Sequence, residues 1–183
     1  LSLLVYSPVK KKLKNKTMTE EQEKLFKADP IISLALELDV TNIKLVGGAV
    51  VDILEGRKVK DYDFLNFSSH DAKKLGFKYS HDSKTATTYL KDDLVIQALK
   101  TNSNDFDFKI SQSQLSFNYQ KNLSLIIDEI SFDNKVLIPA NKSWLEKKNA
   151  LNSLRRIVHW KNKGYTINDV TYLSLFLFQY LPS

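Results

Sequence analysis

The chain has 183 residues, 43% of them hydrophobic, which is enough to bury one good core with a small appended piece. Its formal charge of +6 and pI of about 9.3 point to an anionic partner such as RNA, DNA or a nucleotide, although lysines spread this widely also serve as plain solvated surface. The lack of cysteine excludes a disulfide framework and a thiolate metal site, and no uninterrupted apolar run is long enough to span a membrane, so an intracellular, cytoplasmic protein is expected.

Residues 1–17 hold Lys10-Lys-Lys-Leu-Lys-Asn-Lys16 and Pro8 but no acidic residue. A signal peptide carries its charges before its apolar stretch, the reverse of this order. The segment reads as a disordered basic arm: an arm on nucleic acid, a transit-like segment, or sequence upstream of the start at Met18. Thr19-Glu-Glu-Gln22 has the pattern of a capping box and opens a helix, which should stop near Asp29-Pro30. A second helix is predicted over Ile31 to Leu38. Ile43 to Val46 reads as a strand, and Ala49 to Leu54 as a helix opening directly from Gly47-Gly48, with Gly56 as its C-cap. Asp61 to Phe67 alternates as a strand does, placing Asp61 and Asp63 on one face and Tyr62 and Phe64 on the other. Further strands are predicted at Thr85 to Leu90, Leu94 to Leu99, Phe106 to Ile110 and Leu123 to Ile130.

Trp144 to Lys163 has apolar residues near helical spacing, closed by Gly164. A final helix over Asn168 to Tyr180 is apolar nearly all round. One of its faces caps the core, and the other suits a homodimer or a partner subunit. The organisation is α+β, a mixed sheet flanked by helices with a short C-terminal helical extension: an arm over 1–17, a main domain over 18–140 and the extension over 141–183.

Two features carry chemistry. Glycine after a strand lets backbone amides approach a phosphate closely and tolerates the φ values of such a turn. Two carboxylates at i and i+2 on a strand share a face, so Asp61 and Asp63 can both hold Mg²⁺; the bland alternative is a solvated pair at a strand end. A phosphate cradle plus twin carboxylates is what metal-assisted nucleotidyl transfer needs. Arg57 and Lys60 flank the carboxylate strand and either steer phosphate or are simply solvated. His70, His81 and His159 lack metal-ligand spacing.

Leu45-Val-Gly-Gly-Ala-Val-Val-Asp52, Leu54-Glu-Gly-Arg57 and Lys60-Asp-Tyr-Asp63 together resemble the signature of CCA-adding tRNA nucleotidyltransferases and bacterial poly(A) polymerases, members of the DNA polymerase β-like nucleotidyltransferase superfamily. Asp107-Phe-Lys-Ile-Ser111 is similar to a family segment whose aspartate helps hold the ribose. Leu151-Asn-Ser-Leu-Arg-Arg-Ile-Val-His159 followed by Lys163-Gly-Tyr-Thr-Ile167 resembles the first neck helix, where Arg155 matches a nucleotide-reading arginine. The resemblance spans about Ile43 to Ile167. It implies a polymerase β-like head and transfer of an NMP from an NTP to a hydroxyl, at an RNA (tRNA-like) 3′ end, with release of pyrophosphate. It also implies two Mg²⁺ ions on Asp61 and Asp63, and phosphate contacts from Gly47 and Gly48. Asp107 is the candidate third carboxylate, with Asp105 and the Asp92-Asp93 pair as rivals.

The departures from the pattern bear on specificity. Val51 and Phe106 stand where the family has arginines, and Asn152 stands at the first of the two nucleotide-reading arginines. That loss argues against ordered C-C-A addition. The sequence also stops where the family's neck, body and tail domains continue. Two alternatives therefore stay open: a catalytically weak nucleotide- or RNA-binding module, and a nucleotidyltransferase acting on a protein or small molecule, as a toxin would. The base transferred and the acceptor are not legible.

Overall fold

The computed structural model describes residues 15–38, 42–101, 106–118, 120–141 and 147–168, with Val170, Leu173 and Leu177. Thr19 accepts from the Gln22 amide at 3.1 Å, and the Gln22 side chain accepts from the Thr19 amide at the same distance. This capping box opens α1 (Glu20–Ala28). Asp29 then ends α1 and starts α2 (Pro30–Ala35). Its Oδ1 accepts from the Ile31 and Ile32 amides at 2.9 and 3.1 Å, and Pro30 sits at the first helical position, where a missing N–H breaks no hydrogen bond.

Among the described residues, eight strands form one sheet: β1 (Asn15–Lys16), β2 (Lys44–Val46), β3 (Asp61–Leu65), β4 (Lys78–Asp82), β5 (Ala86–Lys91), β6 (Leu94–Leu99), β7 (Gln114–Phe117) and β8 (Leu123–Ile126). Their order is β1-β8-β7-β2-β3-β6-β5-β4. Only β3 and β6 run parallel; the other neighbours are antiparallel. Helices α1 and α2 lie between β1 and β2, α3 (Gly48–Leu54) joins β2 to β3, and α4 (Ser69–Lys74) joins β3 to β4. The fold is α+β with a mixed sheet, as the sequence indicates.

The chain divides into two compact units. One is Lys14–Asn104 with Gln112–Ile127, and the other contains Asp105–Ser111 and Asp128–Ser183. In the first, the sheet unit, Leu45, Val46, Tyr62, Phe64, Ile96 and Leu115 are buried. Phe64 stacks on Phe67 at 5.2 Å between ring centroids. In the second, α5 (Glu129–Asn134) and α6 (Lys147–Lys161) accompany a short extended crossing in which Lys109 N–H donates to the Ile138 carbonyl at 2.9 Å and Ala140 N–H to the Asp107 carbonyl at 2.8 Å. Trp160 and Tyr165 are buried and meet edge to face at 5.0 Å.

Several local expectations are corrected. Phe106 to Ile110 is not a strand: Phe108 makes a single bridge to Pro139, and the chain turns at once into a 3₁₀ helix over Lys109–Gln112. The strand expected over Leu123 to Ile130 ends at Ile126, because Asp128 accepts from the Ser131 amide at 2.8 Å and caps α5. Of the basic N-terminal segment, Asn15–Lys16 form β1, paired to β8, and residues 1–14 lie outside the described residues. The helix expected at Asn168 to Tyr180 falls largely outside the described residues; of it, Val170, Leu173 and Leu177 are exposed.

Candidate active site

The site grows from β3, the sequence Asp-Tyr-Asp-Phe-Leu. Period-2 alternation puts Tyr62 and Phe64 into the core at 2% and 0% exposure, so Asp61 and Asp63 must share the opposite face. The even residues are pinned as well as buried. Tyr62 donates its hydroxyl to Asp29 Oδ2 at 2.7 Å, so one aspartate caps α2 and anchors the middle of the carboxylate strand. Burial, then the hydrogen bond and charge of Asp29, push the Tyr62 phenol above its ordinary pKa.

Asp61 is exposed. Asp63 is half-buried, and its Oδ1 is buried with no hydrogen-bond partner among the described residues. Desolvation first, and the charge of Asp61 second, raise the Asp63 carboxyl to about 6. A carboxylate oxygen held out of water without a donor carries an energetic penalty unless a cation completes it. The pair therefore fits a divalent cation. No cluster of three or more His, Cys, Asp or Glu side chains suited to a metal occurs among the described residues. Mg²⁺ as a rule binds through one or two carboxylates and completes its shell with water and substrate phosphates.

The glycine turn lies beside this pair. β2 pairs with β3 through Val46 and Asp63, so Gly47 follows directly on the residue opposite Asp63. Gly47 has φ +75° and ψ −140°, a region open in practice only to glycine. Its amide donates to the Ser113 carbonyl at 2.9 Å, which fixes the turn against the end of β7. The amides of Gly48, Ala49 and Val50 then head α3, before the first N–H that donates within the helix. At the other end of α3, Gly56 (φ +74°) reverses the chain. Arg57 reaches back there: its Nε donates to Asp52 Oδ1 at 2.9 Å and one terminal nitrogen pairs with Glu55 at 3.2 Å. Burial opposes the Arg57 charge, but these acidic partners outweigh it and raise its pKa. Arg57 thus clamps the loop that leads into β3, and Lys60, exposed, precedes Asp61.

Asp107 and Arg155 belong to the other unit. Asp107 is buried, at 4% exposure, and accepts from Ser153 Oγ at 2.7 Å and from Arg156 at 2.8 Å. Arg155, the residue singled out in the sequence, is exposed. Its neighbour Arg156 makes the ion pair, and Asp105 lies outside the described residues. Sequence reasoning therefore missed Asp29, Ser153 and Arg156. Helical spacing held a signal for the last two: Ser153, Arg156, Ile157 and Trp160 fall on adjoining positions of α6, whereas Arg155 does not.

Comparison with solved structures returns CCA-adding enzymes. A CCA-adding enzyme with CTP superposes at a TM-score of 0.65 and 21% identity, covering 84% of this chain and 43% of that one. The Thermotoga maritima CCA-adding enzyme complexed with tRNA gives 0.66 and 21%, covering 85% and 44%. The chain has the CCA-adding enzyme fold. A tRNA nucleotidyltransferase complexed with a primer tRNA and an incoming ATP analogue matches at 0.58 and 20%, covering 76% and 47%. The chain spans less than half the length of each of these CCA-adding enzymes and nucleotidyltransferases. No protein-family model matches it, and no curated protein sequence does.

Proposed function

We propose that this chain is a Mg²⁺-dependent nucleotidyltransferase that moves an NMP from an NTP to a hydroxyl at the 3′ end of an RNA, tRNA-like in kind, and releases pyrophosphate. The observation that carries the reading is the Asp61 and Asp63 pair, with its buried, unpartnered Asp63 oxygen, set beside the Gly47-Gly48 turn. The shared fold supports it, since its solved examples are complexed with CTP, with tRNA, and with a primer tRNA and an ATP analogue.

In this reading Asp61 and Asp63 hold the metal. Once bound, Mg²⁺ neutralises triphosphate charge and lowers the pKa of the attacking hydroxyl. The oxygen of that hydroxyl bonds to the α-phosphorus, the α–β phosphoanhydride bond breaks, and pyrophosphate leaves. Gly47 lacks a side chain and keeps the turn tight, so the triphosphate can approach the backbone from Gly48 onward. Asp29, through Tyr62, keeps both carboxylates on one face. Arg57 braces the loop before β3, and Lys60 adds positive charge at its mouth. Asp107, gripped by Ser153 and Arg156, organises the residues around α6, where Arg155 is free to meet a nucleotide.

The test is incubation with each α-³²P-labelled NTP, Mg²⁺ and total cellular RNA, followed by denaturing gels. Label in an RNA band that disappears in the Asp61→Asn, Asp63→Asn protein supports transfer to RNA and identifies base and acceptor. Label on protein or in a small molecule would move the acceptor class, and no label with any NTP would favour a binding module.

A further inference from the structure

The ladders set three residues directly beside the carboxylate pair. Val46 on β2 lies opposite Asp63, and on β6 Val95 lies opposite Asp61 and Gln97 opposite Asp63. Residues in register on neighbouring strands share a face and sit about 4.8 Å apart. The alternation agrees: Tyr62 and Ile96 are buried on the far face, whereas Asp63, Val95 and Gln97 are half-buried and Asp61 is exposed. Of these ladder neighbours, only Gln97 carries a polar side chain.

That glutamine stands alone in its strand. The other residues of β6 are Leu94, Val95, Ile96, Ala98 and Leu99, and the strand lies inside the sheet, between β3 and β5. A half-buried amide loses part of its hydration, a cost that a hydrogen bond normally offsets. The Gln97 side chain makes no hydrogen bond to another described residue. Nor does its amide supply the donor that Asp63 lacks, since Asp63 Oδ1 has no partner among the described residues. Two oxygen-bearing side chains thus stand side by side on neighbouring strands, neither paired to a described residue. A cation between them satisfies both, because Mg²⁺ takes each of its oxygen ligands at about 2.0–2.1 Å, a reach that fits the spacing of adjacent strands.

We infer that Gln97 is a neutral third protein ligand of the cation that Asp61 and Asp63 hold, binding through its side-chain carbonyl oxygen. A carbonyl adds coordination without adding charge, which leaves triphosphate oxygens to complete the site. The inference rests on the transfer reading for the presence of the cation, but its test needs no turnover.

EPR of free Mn²⁺ with the intact protein, without NTP, reads affinity, and Tb³⁺ luminescence lifetimes in H₂O and D₂O count the waters left on the ion. The parent should bind Mn²⁺, and the Asp61→Asn, Asp63→Asn protein should not. Gln97→Leu, similar in size but without the oxygen, should weaken Mn²⁺ binding about threefold or more and leave one more water on Tb³⁺. Gln97→Asn, which keeps the amide but draws it back by one methylene, should do the same. Gln97→Glu should tighten Mn²⁺ binding about tenfold or more, because affinity for hard cations rises with ligand charge. Thermal melts in EDTA identify the folded variants on which the comparison is made. Unchanged affinity and water count in folded Gln97→Leu or Gln97→Asn overturns the ligand role and leaves the transfer reading standing. A parent that binds no Mn²⁺ overturns both. The expected shifts in a protein that transfers no labelled NMP keep Gln97 as a ligand and sink the transfer reading instead.

Discussion

Replacing Asp63 with Asn should stabilise the metal-free protein at alkaline pH. Burial and the neighbouring Asp61 move the Asp63 carboxyl from 3.8 to about 6. At about 1.4 kcal/mol per tenfold change in an equilibrium constant, that displacement is worth roughly 3 kcal/mol between the two protonation states. Because the folded value is raised, the native state holds this proton more tightly than the unfolded chain does. The benefit is complete below about 3.8, fades as pH rises through about 6, and above that the fold carries the full cost of a buried anion. Asparagine carries no charge at any of these pH values. Its NH₂ replaces one unpaired buried group with another and returns about 1–2 kcal/mol of the gain. The net effect is about 1–2 kcal/mol, or roughly 2–8 °C in melting temperature for a chain of this size. Scanning calorimetry in EDTA at pH 8 and pH 4 measures it: Asp63→Asn should melt higher than the parent at pH 8, and at or below it at pH 4, where the carboxyl is largely protonated and only the cost of the unpaired amide remains. Saturating Mg²⁺ should raise the melting temperature of the parent at pH 8 and leave that of the variant unchanged. A variant that melts at or below the parent at pH 8, or that gains equally from Mg²⁺, would refute the reasoning.

Other substitutions probe the supports of the site. Arg156→Ala removes a charge-assisted hydrogen bond to buried Asp107, and urea unfolding should show a loss of about 1.5–3 kcal/mol, against little change for the exposed neighbour in Arg155→Ala. Tyr62→Phe deletes the bond to Asp29 while keeping the ring packed; a loss of about 1 kcal/mol in the same assay is expected, and no loss would mean that the carboxylate strand is held by packing alone. Gly47→Ala forces a side chain into a glycine-only backbone region and should lower stability by about 1–3 kcal/mol.

The legible parts of the fold were those with a local physical cause. Thr19 with Gln22, and Asp29 with Pro30, announce helix ends through their own side chains, and both hold in the structure. The strand Leu94–Leu99 is legible to the residue, because a β-branched apolar run bounded by the Asp92-Asp93 turn has few other uses. The β4 strand carries no such pattern: all five of its residues are exposed, so nothing alternates. Phe106 to Ile110 alternates well but meets a proline across the bridge, a partner 31 residues away that local pattern cannot reveal. The site divides the same way. The i, i+2 carboxylates and their closeness to the glycine turn follow from strand period and short separation. The grip of Arg156 on Asp107 spans 49 residues, and the link from Tyr62 to Asp29 spans 33. Tertiary packing alone brings such pairs together.

The most direct test of nucleotidyl transfer is to count both products of one reaction, NMP incorporated and pyrophosphate released, with and without the double substitution Asp61→Asn, Asp63→Asn. Equal amounts of the two from the parent protein, and loss of both in the variant, are predicted. Pyrophosphate release that survives the substitution, or NTP binding that yields neither product, would contradict the assignment of these two carboxylates.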